Sequence, residues 1–156
     1  RSSGGYTALM AAVQTDRFKA VGSLFGVTDP LRLRAATHRF ESGCLDWLLG
    51  NPQSNRARWQ ARTPALQADQ ISCPAIFFQG GKDAVVVPEQ TRRMVAALQA
   101  RGQPVELHWY EDEGHGFQRA ENQAHMLESL YRFYGSLVPD NPKIRQKDNE
   151  PAHKLS

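Results

Sequence analysis

Apolar residues fall along this chain in alternating helical and extended rhythms. From Tyr6 to Val13 the side chains are small and apolar, with Ala8, Leu9, Met10, Ala11 and Ala12 following directly on Gly4-Gly5. That composition has high helix propensity and predicts a buried helix. Phe18 to Gly26 is a short apolar run bounded by turn residues, which predicts a core strand. A second strand is expected over Ala75 to Phe78, ending at Gln79-Gly80-Gly81, and a third over Val105 to Tyr110. Between them, Pro88 suits a first helical turn, and Met94, Val95 and Leu98 lie at helical spacing before Gly102. Leu127, Leu130, Tyr131 and Tyr134 recur at i, i+3, i+4 and i+7, predicting an amphipathic helix laid on the sheet.

The stretch from Thr28 to Gln70 is polar, arginine-rich and interrupted by Pro30, Pro52 and Pro64, with short helical patterns at Leu31 to Ala36 and Cys44 to Leu49. It is expected to run over the active-site edge. Strands alternating with helices predict an α/β fold with a parallel sheet covered on both faces. Residues 1–138 form one partial domain on this reading, and the charged tail 139–156, without apolar periodicity, is expected to be disordered. Arg1 opens straight into Ser2-Ser3-Gly4-Gly5 with no strand before it, so the chain is expected to be cut from a longer one.

Composition narrows the function classes. Of 156 residues, 40% are hydrophobic and 22% charged, as in an ordinary globular domain. The 19 basic and 16 acidic residues are interspersed, so the formal charge of +3 forms no block suited to nucleic acid or an anionic membrane. Cys44 and Cys73 fit no C-x-x-C spacing and are expected to be reduced. There is no signal-peptide pattern and no apolar run of the roughly 18 residues a span needs, which gives a cytoplasmic expectation. No metal-ligand spacing or phosphate loop appears, so neither metal nor cofactor is expected. Trp47, Trp59 and Trp109 are scattered and read as packing residues.

The candidate chemistry is that of an activated serine. Arg1-Ser2-Ser3-Gly4-Gly5 is a G-x-S-x-G turn without its first glycine, with Ser2 in the nucleophile place and the Ser3 backbone N–H as an oxyanion donor. Alone, such a stretch reads as a flexible leader. The apolar helix behind it, and aspartate and histidine positions later in the order that hydrolases use, reverse that reading. A serine needs an imidazole to take its proton and a carboxylate to orient the imidazole. Asp83, in Gly80-Gly81-Lys82-Asp83, lies just past a strand's C-terminal end, where parallel sheets collect functional groups. His115, in Glu113-Gly114-His115-Gly116-Phe117, lies in a glycine-framed loop after the next strand, a framing that His38, His108, His125 and His153 lack.

With these motifs the sequence resembles the prolyl oligopeptidase family, S9, and most closely its dipeptidyl aminopeptidase and acylaminoacyl-peptidase branch. Besides the triad, Gly26-Val27-Thr28-Asp29, Thr37-His38-Arg39-Phe40-Glu41-Ser42, Thr63-Pro64 and Cys73-Pro74 leading to Phe78-Gln79-Gly80 carry the likeness, from Arg1 to about Tyr134. The resemblance implies the C-terminal part of an α/β-hydrolase domain, with the first half of its sheet absent, normally preceded by a β-propeller. It implies a serine peptidase acting on short peptides, and it places Val86, three residues after the aspartate, near the pocket for the residue preceding the scissile bond. A carboxylesterase on the same fold is the enzyme alternative. A non-catalytic fragment that dimerises through an exposed sheet edge is the other.

Overall fold

The computed structural model describes residues 1–37 and 39–138, so His38 and the predicted disordered tail lie outside the described residues. Three parallel strands form one sheet in the order β1 (Val21–Leu24), β2 (Ala75–Gly80), β3 (Val105–Tyr110). Val21 pairs with Ala75 and Ala75 with Val105, so all three strands start level; β2 and β3 end together at Gly80 and Tyr110, and β1 stops two residues sooner, at Leu24 opposite Phe78. The sequence run from Phe18 is longer than the strand it forms, and Phe18 itself is 48% exposed.

The middle strand explains the core. All six residues of β2 are buried, and their side chains alternate between two hydrophobic layers. Ala75 and Phe77 meet Leu9 and Ala12 of α1 (Ser3–Gln14) and Met94, Val95 and Leu98 of α5 (Pro88–Gln99). Ile76 and Phe78 meet Phe25, Tyr110, Phe117 and Phe133, the last from α6 (Ala120–Ser136). A strand covered on both faces reads as a continuous apolar run rather than an alternation, which is how Ala75 to Phe78 appears.

Helix α6 corrects one expectation. Leu127, Tyr131 and Tyr134 are 61%, 50% and 42% exposed, while Met126, Leu130, Phe133 and Leu137 pack toward the sheet. Two neighbouring stripes at helical spacing share Leu130, and periodicity alone does not choose between them. Phe133 carries the larger wholly apolar surface, whereas tyrosine tolerates a wet edge. Trp47 likewise fails as a packing residue, being 83% exposed, whereas Trp59 is buried and donates its indole N–H to the Gly50 carbonyl at 2.9 Å.

The excursion is more helical than its prolines suggest. It contains α2 (Pro30–Ala36), α3 (Arg39–Leu49), α4 (Arg56–Ala61) and two short 3-10 turns at Pro64–Leu66 and Ala68–Gln70. Asp29 caps α2 by accepting from the Arg32 N–H at 3.0 Å, and Pro30 occupies the first helical position. Arg34 clamps Asp46 through Nε at 2.5 Å and a second nitrogen at 2.7 Å, joining α2 to α3. That hydrogen-bonded guanidinium holds the Asp46 carboxyl below its ordinary range.

Because Phe77 is almost fully enclosed between β2 and the α1–α5 layer, Phe77→Ala is expected to lower unfolding free energy by about 3–5 kcal/mol, read from urea denaturation.

Candidate active site

Three loops converge at the C-terminal edge of the sheet. The first is the turn into α1. Ser2 sits at φ 47° and ψ −122°, outside the regions that ordinary L-residues favour, and its N–H donates to the Leu24 carbonyl at 3.0 Å. This sharp turn puts the Ser2 side chain at the mouth of the helix rather than along it. The turn depends on close backbone approach: a Cβ on Gly5 would lie 2.7 Å from the Gly26 Cα. The helix bonds Gly5 N–H to Arg1 and Tyr6 N–H to Ser2. The Ser3 and Gly4 N–H groups therefore have no acceptor inside the helix, as for any first turn.

The second loop carries Asp83 and the third carries His115. Their spacing is set by the backbone: Gly81 N–H donates to the Tyr110 carbonyl at 2.8 Å and Lys82 N–H to the Glu113 carbonyl at 2.9 Å. Gly80 lets the loops close, since any Cβ there would strike the Glu113 and Gly114 carbonyl oxygens. Lys82 and Asp112 add an exposed ion pair at 2.8 Å, a contact of small energetic weight.

The result is a continuous hydrogen-bonded line. Ser2 Oγ lies 3.0 Å from His115 Nε2, and His115 Nδ1 lies 2.9 Å from Asp83 Oδ2. The side chain of Asp83 is wholly buried and that of His115 is 22% exposed. Asp83 Oδ1 accepts from the Val85 and Val86 N–H groups, each at 2.9 Å. Since the carboxylate is an acceptor, His115 donates from Nδ1, leaving Nε2 to accept the Ser2 hydroxyl proton. Phe25 packs edge-on against the His115 ring at 4.8 Å, and Phe117 lies edge-on to Phe25 at 5.3 Å, so the imidazole has an apolar wall.

Each candidate site residue of the sequence is thus located. Ser2, Asp83 and His115 meet, and Ser3 opens the helix beside them. Val86 contributes its backbone N–H to Asp83 while its side chain is fully buried. Beside Ser3 lies an apolar hollow of about 230 Å³, lined chiefly by Tyr6, Val27, Leu33, Leu45, Leu48 and Leu49, and Val86 is not among its lining residues. Those leucines come from α2 and α3, and no motif in the sequence marked them as site residues.

Glu113 was visible only as part of the histidine motif. Its buried carboxylate accepts from the Gln118 N–H at 2.8 Å, the Arg119 N–H at 2.9 Å and Asn122 Nδ2 at 2.8 Å. It therefore braces both ends of the His115 loop and serves the open N-terminus of α6, where Arg119 supplies no side-chain cap. Burial pushes its pKa up, but the bonds from Asn122, Gln118 and Arg119 together outweigh that and hold it below 4.5. Among the described residues no cluster of His, Cys, Asp and Glu could hold a metal ion, and no helix is long and apolar enough to cross a membrane.

Comparison with known proteins gives the chain a family. The profile of the Prolyl oligopeptidase family, peptidase S9, matches residues 1–139. Dipeptidyl aminopeptidase BIII of Pseudoxanthomonas mexicana is 32% identical over 127 residues, covering 78% of this chain and 18% of that protein. A puromycin-hydrolyzing peptidase of Mycobacterium tuberculosis superposes with a TM-score of 0.85 at 38% identity, over 90% of this chain and 21% of that one. A puromycin hydrolase gives 0.82 and 36%, over 87% and 21%. The chain thus spans about a fifth of the length of these relatives.

Two outcomes are expected from the site's supports. A carboxyl whose pKa is depressed by folding stabilises fully above its unfolded value and loses that contribution as pH falls through its lowered value. Glu113→Gln should therefore cost about 1–3 kcal/mol at neutral pH and flatten the loss of stability on acidification through the carboxylate range, both read from urea midpoints. Gly5→Ala should force the Ser2 turn away from Gly26, lowering the melting temperature and moving the His115 imidazole resonances in NMR spectra.

Proposed function

Given that the chain belongs to the prolyl oligopeptidase family, we propose that it carries the nucleophile, base and orienting acid of a serine peptidase that releases aminoacyl, dipeptidyl or acylaminoacyl units from short peptides. The observation that carries this reading is the unbroken line Ser2 Oγ, His115 Nε2, His115 Nδ1, Asp83 Oδ2, with 3.0 Å and 2.9 Å at its two links.

In this mechanism Ser2 Oγ attacks the scissile carbonyl carbon while its proton passes to His115 Nε2. The C–O bond that forms turns the carbonyl oxygen into an oxyanion, which the Ser3 N–H faces at the positive end of α1. Collapse of that intermediate breaks the C–N bond, and His115 gives its proton to the leaving amine. Water then repeats the sequence on the acyl-serine, delivering a carboxylic acid and restoring the Ser2 hydroxyl. Asp83 stays ionised throughout and stabilises the imidazolium that forms twice per turnover.

The apolar hollow beside Ser3 suits the side chain of the residue whose carbonyl is attacked. Its leucine-rich lining favours a large apolar group, and Arg62 among the lining residues disfavours a cationic one. Relatives whose names describe dipeptidyl aminopeptidase and puromycin-hydrolyzing peptidase activity favour amide over ester substrates.

A fluorophosphonate probe should label Ser2, and both Ser2→Ala and His115→Ala should abolish the labelling; a label retained in Ser2→Ala would overturn the assignment. Asp83→Asn should leave the serine in place yet slow labelling by about 10⁴-fold, because the amide favours the wrong histidine tautomer.

A further inference from the structure

We propose that Gln79 and Thr91 are positioning residues that aim the Asp83 carboxylate at His115, extending the Ser2–His115–Asp83 line by two side chains into the interior between the sheet and α5. This inference rests on the reading of the site just given. Gln79, one residue from the end of β2, has no exposed surface, and Thr91 in the first turns of α5 is 2% exposed.

The direction of every bond in this extension is fixed by its neighbours. Gln79 Nε2 lies 3.1 Å from Asp83 Oδ2, 3.2 Å from the Gly80 carbonyl oxygen and 3.3 Å from the Val86 carbonyl oxygen. All three are acceptors, so the amide end facing them is the NH₂ group. The Gln79 carbonyl then faces Thr91 Oγ1 at 2.6 Å, and the threonine hydroxyl must donate. Thr91 thus holds Gln79, and Gln79 holds the same carboxylate oxygen that receives His115 Nδ1–H.

That shared oxygen is the reason for the assignment. Asp83 Oδ1 is held by two backbone N–H groups, but Oδ2 has only His115 and Gln79 among the described residues. Without the Gln79 donor, Oδ2 keeps a single mobile partner, and rotation about the Asp83 Cβ–Cγ bond would take it off the imidazole axis. A leucine would fill the Gln79 site without burying an amide. The amide's polar capacity is directed instead at the carboxylate and the carbonyls of its loop.

The test reads the far-downfield NMR resonance of the His115 Nδ1 proton, which reports the bond to Asp83 whether or not the chain turns over substrate. Wild type and Ser2→Ala should both show it, and its absence in wild type would overturn the network. Gln79→Met and Thr91→Val should shift or broaden it, and fluorophosphonate labelling should slow about tenfold in Thr91→Val, the milder change. In Gln79→Glu the introduced carboxyl faces only acceptors and can hold Asp83 Oδ2 only in its protonated form, so the resonance should be lost on raising the pH to values at which wild type and Gln79→Met do not lose it, a response that a merely packing role would not produce. An unmoved resonance and unchanged labelling in a folded Thr91→Val overturn the proposal while leaving the peptidase reading intact. Labelling retained in Ser2→Ala sinks the peptidase reading instead, and the resonance then decides the positioning role alone.

Discussion

A carboxylate enclosed by protein has to be met by donors on every side, and Asp83 is the enclosed carboxylate on which this structure turns. Burying an ionised group without partners costs several kcal/mol or more. Here four N–H groups meet it: two from the backbone of Val85 and Val86, one from Gln79 and one from His115. Supplying them requires a tight turn after β2, a glutamine inside the sheet's core layer, and a histidine loop brought in from beyond β3. The fold around the site consists largely of what makes those three arrivals coincide.

The parallel sheet supplies the coincidence. Because β1, β2 and β3 are parallel and in step, the turns that follow them open on one edge, and backbone bonds from Gly81 and Lys82 to the next loop fix their separation. Glu113 plays for the histidine loop the part that Val85 and Val86 play for the aspartate loop, tying a short irregular segment to the start of a helix. Two aromatic rings, Phe25 and Phe117, close the apolar side of the imidazole. The strained Ser2 turn is tolerated because the Leu24 carbonyl and the close Gly5–Gly26 contact hold it from both ends.

Above this edge the helical excursion does different work. Its arginines look like a solvated surface in the sequence, and Arg34 does lie there, but it also pins α3 to α2 through Asp46. The same helices present leucines to the space beside Ser3. The site is therefore polar along the Ser2–His115–Asp83 line and apolar in its neighbouring hollow.

The chain's local chemistry was readable from residues alone. Glycines beside Ser2, Asp83 and His115 mark sharp turns, and turns at the C-terminal ends of parallel strands are where such residues collect. The strands were readable as well, because a doubly covered strand shows a continuous apolar run, as Ala75 to Phe78 does. What sequence could not decide was any choice among equally periodic alternatives. Leu127, Tyr131 and Tyr134 fit a buried helix face as well as Met126 and Phe133 do, and only contact with Ile76 and Phe78 selects the second stripe. Nor could it reveal that Gln79 and Glu113 support the triad, or that leucines of α2 and α3 face Ser3. Those roles arise from hydrogen bonds and packing between segments distant in the chain. Local pattern specifies elements and turns, whereas the direction of a buried amide or the face of a helix is settled by what the rest of the fold places against it.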